Sequence, residues 1–376
     1  MPVLTHYLRS QVALAEGDFA AVDLMLPHHL HLPLSVLCFN AGKHVLLEKP
    51  LAAKLDDALK LLAAGREAVA RGQVFMVAEN SQYWNEVRCA KAAIEKDRIG
   101  EVLSARAIFN GTFTEGDDAR TETADVTKSY ATLDGEGGDA EKPWRFDAAA
   151  TGGGICIDGG AHWIRPLRIL MGSEIKEVIG VCQRPFDKME GESLGRALLR
   201  FESGRVAYFE ATLGEQVYGP DQSWRVLGTK GEIVVDGDGV RLYSKEHAKG
   251  LELFETPPEY QRLTDLGVDI SFEGLAMPLA GYHASFGHEL ADFADVCCRG
   301  ATPSVPTDSK LSQSEHALGE MCTALALYRS AKTNTWEAVW PQTGLSPSGV
   351  QDQRVISMIL NSSHVTKHLV SDLAPE

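Results

Sequence analysis

Residues 44–52 read HVLLEKPLA, and the reading of this stretch decides the fold. Val45, Leu46 and Leu47 form an apolar run without polar alternation, as in a strand buried on both faces of a parallel sheet. Pro50 has no backbone N–H to donate, so it ends the strand. Glu48 and Lys49 then step off the carboxyl end, where open α/β sheets bind their ligands.

The flanks keep the same rhythm. Strands are predicted at Val22 to Leu26, His44 to Glu48 and Val74 to Ala78. Between the first two lies PHHLHLPLSVLCFNAGK, with Pro33 fit for a first helical position and Gly42 for a C-terminal cap. AAKLDDALKLLAAGREAVARG places Leu55, Leu59, Leu62 and Val69 on one helical face and stops at Gly72. NEVRCAKAAIEKDRIG reads as a further helix ending at Gly100. Strand and helix in alternation imply right-handed crossovers and a parallel sheet.

After residue 107 the pattern changes. GRALLRFESGRVAYFEATL holds two strands around Glu-Ser-Gly, and WRVLGTKGEIVVDGDGVRLYS adds turns at Gly228 to Gly231 and Asp236 to Gly239. These are hairpins, so this half is mainly antiparallel. Helices resume near 283–299 and 309–332, residues 114–143 read as a long polar loop, and pattern is lost beyond Pro341. The expected fold class is α/β then α+β. Residues 1–107 form the parallel-sheet domain, 108–340 a substrate and oligomerisation domain, and 341–376 a poorly patterned tail. The strands near 197–213 and 223–243 keep Tyr208 and Trp224 among their outward positions, which suits a homo-oligomer interface.

The formal net charge of -16 argues against nucleic acid or an anionic membrane surface as the main partner. No run reaches the length of a membrane span, and MPVLTHYLRS has no signal-peptide core. The seven scattered cysteines suit free thiols in a reducing compartment, and the adjacent Cys297 and Cys298 are expected as a helix-buried pair. A cytoplasmic protein is expected.

Three constellations carry possible chemistry. In Glu48-Lys49-Pro50, the lysine sits at a helix start, where it can donate to a polar substrate or carry a proton; a solvated surface charge is the plain alternative. In GGGICIDGGAHWI, residues 152–164, Asp158 and His162 are four apart and share a face if the segment is one helix. An aspartate balancing an imidazole is a minimal acid–base unit, although a capping Asp158 beside a packed His162 has the same spacing. Pro166 would kink such a helix. In PHHLH, His28, His29 and His31 follow a strand end, but adjacent histidines rarely converge on one ion, so a ligand-facing loop is expected and no metal.

Taken in order, VDLMLPHHLH, AGKHVLLEKPLA, ENSQYWNEV, RIGEVLSARA, GGGICIDGGAHWI, GTKGEI and ELADF resemble the Gfo/Idh/MocA oxidoreductases, relatives of glucose–fructose oxidoreductase and inositol dehydrogenase. The likeness runs from about residue 5 to 340, and the EKP and D-x-x-x-H motifs are specific in combination. The resemblance implies an NAD(P)-dependent oxidoreductase moving hydride between NAD or NADP and a sugar, cyclitol or related polyol. It implies that Lys49 reaches nicotinamide and substrate, that its bond to Pro50 is cis, and that Asp158 and His162 are catalytic, His162 as the base. Pro27, His28, His31, Glu48 and Gln82 would line the cofactor, and Trp144 and Arg145 of PWRFD would approach the substrate.

One departure stands out. Family members open with a strand, a G-x-G-x-x-G turn and a helix, and no G-x-G-x-x-G occurs here. By that comparison about sixty to seventy residues of a Rossmann-type βαβ start are missing, leaving a truncated parallel sheet. The expectations that follow are an unpaired edge on the strand Val22 to Leu26 and no useful dinucleotide affinity in the chain as given. A truncated, non-catalytic isoform is therefore the alternative to the oxidoreductase. A Schiff-base enzyme using Lys49 is a third reading, and it requires an apolar pocket.

Overall fold

The computed structural model describes residues 11–112, 144–214, 223–236, 239–253, 279–299 and 313–340. The loop expected at 114–143 and the tail beyond Pro341 lie outside the described residues. Strands β1 (Ala21–Leu24), β2 (His44–Glu48) and β3 (Phe75–Ala78) form a parallel sheet in that order. Val22 pairs with Val45, and Val45 with Phe75. Among the described residues, no strand pairs with the outer edge of β1.

The helices that frame the site are α1 (His31–Asn40), α2 (Leu55–Ala70), α3 (Asn85–Glu95), α4 (Ala148–Thr151), α5 (Ile155–Asp158), α6 (Ala161–Met171), α7 (Leu279–Arg299) and α8 (Gln313–Thr333). Period-two geometry explains the unbroken apolar run of β2. Val45 and Leu47 face the main core with Phe39, Leu61 and Val77, beneath α1 and α2. Leu46 faces the other way, with Met76, Ala78 and Phe293 of α7. Late chain thus returns to cover the second face of the first sheet. Burying one such leucine contributes about 1.5–3 kcal/mol.

The buried face of α2 differs from the sequence expectation. Ala58, Leu61, Leu62, Gly65 and Ala68 are buried, Leu55 and Leu59 are partly buried, and Val69 is 52% exposed. The face is chosen by close approach to the sheet: a Cβ on Gly65 would lie 2.3 Å from the Phe75 ring. Small residues make that contact, and a search for large apolar ones misses them.

The second sheet has nine strands: β4 (Val102–Thr112), β5 (Ile175–Gln183), β6 (Leu194–Phe201), β7 (Val206–Gly214), β8 (Ser223–Gly228), β9 (Gly231–Asp236), β10 (Gly239–Ser244), β11 (Leu251–Glu252) and β12 (Glu337–Ala338). Their order is β11-β10-β9-β8-β4-β7-β6-β5-β12, antiparallel throughout except for β4 with β7. Because β4 begins at Val102, the passage between sheets lies ahead of residue 107. Helices α6 and α8 cover the inner face.

Two expectations about exposure are corrected. Trp224 is buried at 4% exposure and stacks on Trp163 at 5.6 Å, so it faces inward while Tyr208 faces outward beside Glu210. Cys298 is exposed and Cys297 half-buried, so the helical pair is not sequestered in a core, although all seven cysteines are free thiols.

Candidate active site

Lys49 leaves the carboxyl end of β2 through a cis bond to Pro50, as expected. Its Nζ donates to the Asp158 main-chain oxygen at 2.8 Å and to Asp158 Oδ1 at 3.1 Å. Arg145 Nε donates to the other carboxylate oxygen at 3.2 Å, and His28 Nε2 lies 3.8 Å from Oδ1. Burial alone would raise the pKa of Asp158. Lys49 first, then Arg145 and His28, reverse this and hold the carboxyl well below its usual range. Asp158 is thus a fixed anion gathering three basic side chains.

The loop that presents Asp158 is built by its glycines and by one glutamate. Asp147 caps α4 by accepting from Ala149 N–H at 2.8 Å. Gly152 ends that helix at φ +87, where a Cβ would lie 2.0 Å from the Ala53 oxygen. A Cβ on Gly154 would lie 1.9 Å from the Glu192 oxygen. The Glu192 carboxylate accepts from Gly154 N–H and Cys156 N–H, each at 2.9 Å, and from the Tyr328 hydroxyl at 2.8 Å. These bonds satisfy the amino end of α5.

Asp158 and His162 do not form a pair. The segment breaks between α5 and α6 at Gly159 and Gly160, so the i, i+4 relation of a continuous helix is lost. Pro166 lies inside α6, which runs on to Met171. The partner of His162 is Glu79, whose Oε1 lies 2.6 Å from Nδ1. Glu79 is 1% exposed and follows β3 directly. Burial would raise its carboxyl, but His162, then Arg165 and Lys49, draw it down to about 2. Sequence spacing could not reveal this pair, which spans 83 residues. Glu79 was still findable, because it occupies the strand-end position that singled out Glu48.

Gln82 lies in the 3-10 turn Asn80–Tyr83, with its Oε1 accepting from Arg165 at 2.9 Å. Arg165 also makes a bidentate pair with Glu320 at 2.6 and 3.0 Å. The oxygen of Gln82 is thereby assigned, and its buried Nε2 has no partner among the described residues. Glu48 is partly buried, and desolvation pushes its carboxyl upward against the pull of Lys49 and His162.

The histidine loop braces the site from beneath. Pro27 precedes the 3-10 turn His28–Leu30. His28 Nδ1 lies 2.9 Å from the Thr151 oxygen; His31 nitrogens lie 2.8 Å from the Pro50 oxygen and 2.9 Å from the Leu26 oxygen. Burial pushes His28 down to about 3 and His31 to about 4. The Trp144 ring meets His28 edge-on at 5.0 Å, and the Arg145 guanidinium lies 4.5 Å over Trp144. The structure therefore brings Lys49, Asp158, His28, Trp144 and Arg145 into one cluster, with His162, Glu79 and Gln82 in a second beside it. The two meet electrostatically, since Glu79 feels both His162 and Lys49. Among the described residues, no His, Cys, Asp or Glu side chains group to hold a metal ion.

A parallel sheet with charged residues at its strand ends is joined to a larger, mainly antiparallel sheet, and open α/β sheets take their ligands at such strand ends. Residues 4–78 match the model of the oxidoreductase family with an NAD-binding Rossmann fold, and residues 87–234 match the GFO/IDH/MocA C-terminal domain. The chain belongs to the GFO/IDH/MocA family. Levoglucosan dehydrogenase of Pseudarthrobacter phenanthrenivorans is 27% identical over 241 residues, covering 58% of this chain and 56% of the relative. 1,5-Anhydro-D-fructose reductase of Ensifer adhaerens is 27% identical over 220 residues, covering 58% and 57%. The matches thus span little more than half the length of these relatives. The aldose-aldose oxidoreductase of Caulobacter crescentus superposes with a TM-score of 0.63 at 22% identity, over 88% of this chain and 83% of that one. That likeness concerns the fold.

The residues present fit the nicotinamide end of a dinucleotide. Gln82 Nε2 is a buried donor, unpartnered among the described residues and suited to a carboxamide oxygen. Lys49 stands at the strand end where the family's Rossmann sheets place their ligand.

Proposed function

We propose that the protein is an NAD(P)-dependent oxidoreductase acting on a hydroxyl-bearing carbon of a sugar, cyclitol or related polyol. The observation that carries this reading is the meeting of Lys49 and His162, from opposite halves of the chain, around the buried carboxylates Asp158 and Glu79. Nicotinamide supplies the hydride acceptor when bound. Lys49 has three N–H donors, and Asp158 takes two. The third can donate to the substrate oxygen. His162 Nε2, the ring nitrogen away from Glu79, accepts the hydroxyl proton as the C–H bond gives up hydride. Asp158 keeps the ammonium in place, and Trp144 with Arg145 shapes the substrate side.

Salt-bridging of Lys49 counts against a Schiff-base role, which requires a desolvated amine in an apolar pocket. The alternative of a non-catalytic isoform is not favoured by the relatives, which are named dehydrogenases and reductases.

We further place the protein in the cytoplasm, on the strength of seven free thiols. No helix among the described residues is long and apolar enough to cross a membrane. A homo-oligomer built on the outer face of the large sheet is supported by Leu198 and Leu227, which are exposed there at 44% and 45%. The experiment is an assay with NAD and NADP separately, against 1,5-anhydrosugars, cyclitols and aldoses. Turnover of at least one class, lost by about a hundred- to ten-thousand-fold in His162→Ala, supports the reading. Equal turnover in that variant overturns it.

A further inference from the structure

We propose that Glu79 is the positioning residue of the base: it fixes the His162 tautomer and balances the imidazolium, so that the base is assembled across the two sheets. The proposal rests on the reading of His162 as proton acceptor.

Four observations carry it. The 2.6 Å contact joins Nδ1 to a carboxylate oxygen, and a carboxylate can only accept. Nδ1 must therefore hold the hydrogen, which leaves Nε2 as the lone-pair nitrogen. Glu79 Oε1 is itself held by Ser81 N–H at 3.1 Å, so the accepting atom cannot swing away. The ring is left 16% exposed while the carboxylate is 1% exposed, so the imidazole is the accessible member of the pair. Lastly, Glu79 follows β3 while His162 opens α6 on the second half, so docking of the halves completes the pair.

In the step, the substrate O–H bond breaks and an Nε2–H bond forms. The electron pair of that O–H bond makes the carbonyl, and a bound nicotinamide would accept the C–H pair as hydride. The imidazolium then carries both ring protons beside a Glu79 that stays anionic, and it returns the Nε2 proton to water. The charged groups facing the pair are Glu48 of β2 and Lys49 just beyond it, Arg165 from α6 and Glu289 from α7. These remain in a Glu79→Gln variant, so the change isolates one charge.

The test is nitrogen NMR of the His162 ring in the 376-residue protein, with His162→Gln used to assign the signal. The wild-type ring should be protonated at Nδ1 when neutral. In Glu79→Gln the Gln oxygen should retain that tautomer. Where turnover is measured, removing the balancing charge should move its acid limb to lower pH, with kcat reduced and KM within about threefold. An Nε2–H tautomer in the wild type overturns the proposal without any variant, and so does an unmoved acid limb in Glu79→Gln. If the tautomer is as expected yet His162→Ala turns over normally, the pair exists and the reading of the site as catalytic is what fails.

Discussion

Asp158 holds Lys49 twice, through its main-chain oxygen at 2.8 Å and its carboxylate at 3.1 Å, and leaves His162 to another residue. Asp158→Asn keeps the volume but removes an anion that Lys49, Arg145 and His28 all face. Breaking a buried pair by removing one partner costs about 3–5 kcal/mol. Urea unfolding at neutral pH should register a loss of that order. The native carboxyl lies below its unfolded value of 3.8, so its contribution is fully present above that pH and is lost as pH falls toward the depressed native value. Asp158→Asn should therefore shed part of the acid sensitivity of the wild type. A variant that unfolds at the wild-type urea midpoint would contradict the account.

Lys49→Arg should behave as a loss rather than a conservative change. A guanidinium is a planar fork, and it cannot reach both Asp158 acceptors and a substrate oxygen from the position of a point donor. Turnover, followed by absorbance of reduced nicotinamide, should fall to within about tenfold of Lys49→Ala. Retention of half the wild-type turnover would remove the point-donor role.

Much of this site could be read from strand ends. HVLLEKP gave a buried strand, its stop and Lys49, because parallel strands buried on both faces leave an unbroken apolar run. The site residues on the glycine loop were also visible, but their pairing was not. A four-residue spacing implies contact only if the helix is continuous, and Gly159 and Gly160 interrupt it. Glu79 and Glu192 act over separations of 83 and 36 residues, which no local pattern encodes. Trp224 was misplaced because alternation fixes two faces without saying which is the core.

Gly152→Ala tests the loop without touching a charged group. Its φ of +87 disfavours any side chain, and the added methyl would meet the Ala53 oxygen at 2.0 Å. Left-handed backbone alone costs about 1–2 kcal/mol for a non-glycine residue, and the clash adds to it. Thermal unfolding should show a drop of several degrees. An unchanged melting temperature would mean that the loop adopts another conformation in solution.

Glu289 offers the opposite sign of pH dependence. It lies on α7, 3% exposed, with Oε1 unpartnered among the described residues. Burial first, then Glu48, Glu79 and Asp23, raise its carboxyl well above the ordinary 4.5, against one favourable bond from Glu79 N–H. Below pH 4.5 both folded and unfolded forms hold the proton, and the group costs nothing. As pH rises, the unfolded chain releases the proton first, so stability falls by roughly 1 kcal/mol per pH unit until the native carboxyl ionises too. Glu289→Gln keeps the shape and the acceptor for Glu79 N–H but removes this linkage. The variant should match the wild type near pH 4.5 and exceed it at pH 8 when urea midpoints are compared across that range. A constant offset between the two proteins, independent of pH, would show that Glu289 is ionised in the folded state and that another cation balances it.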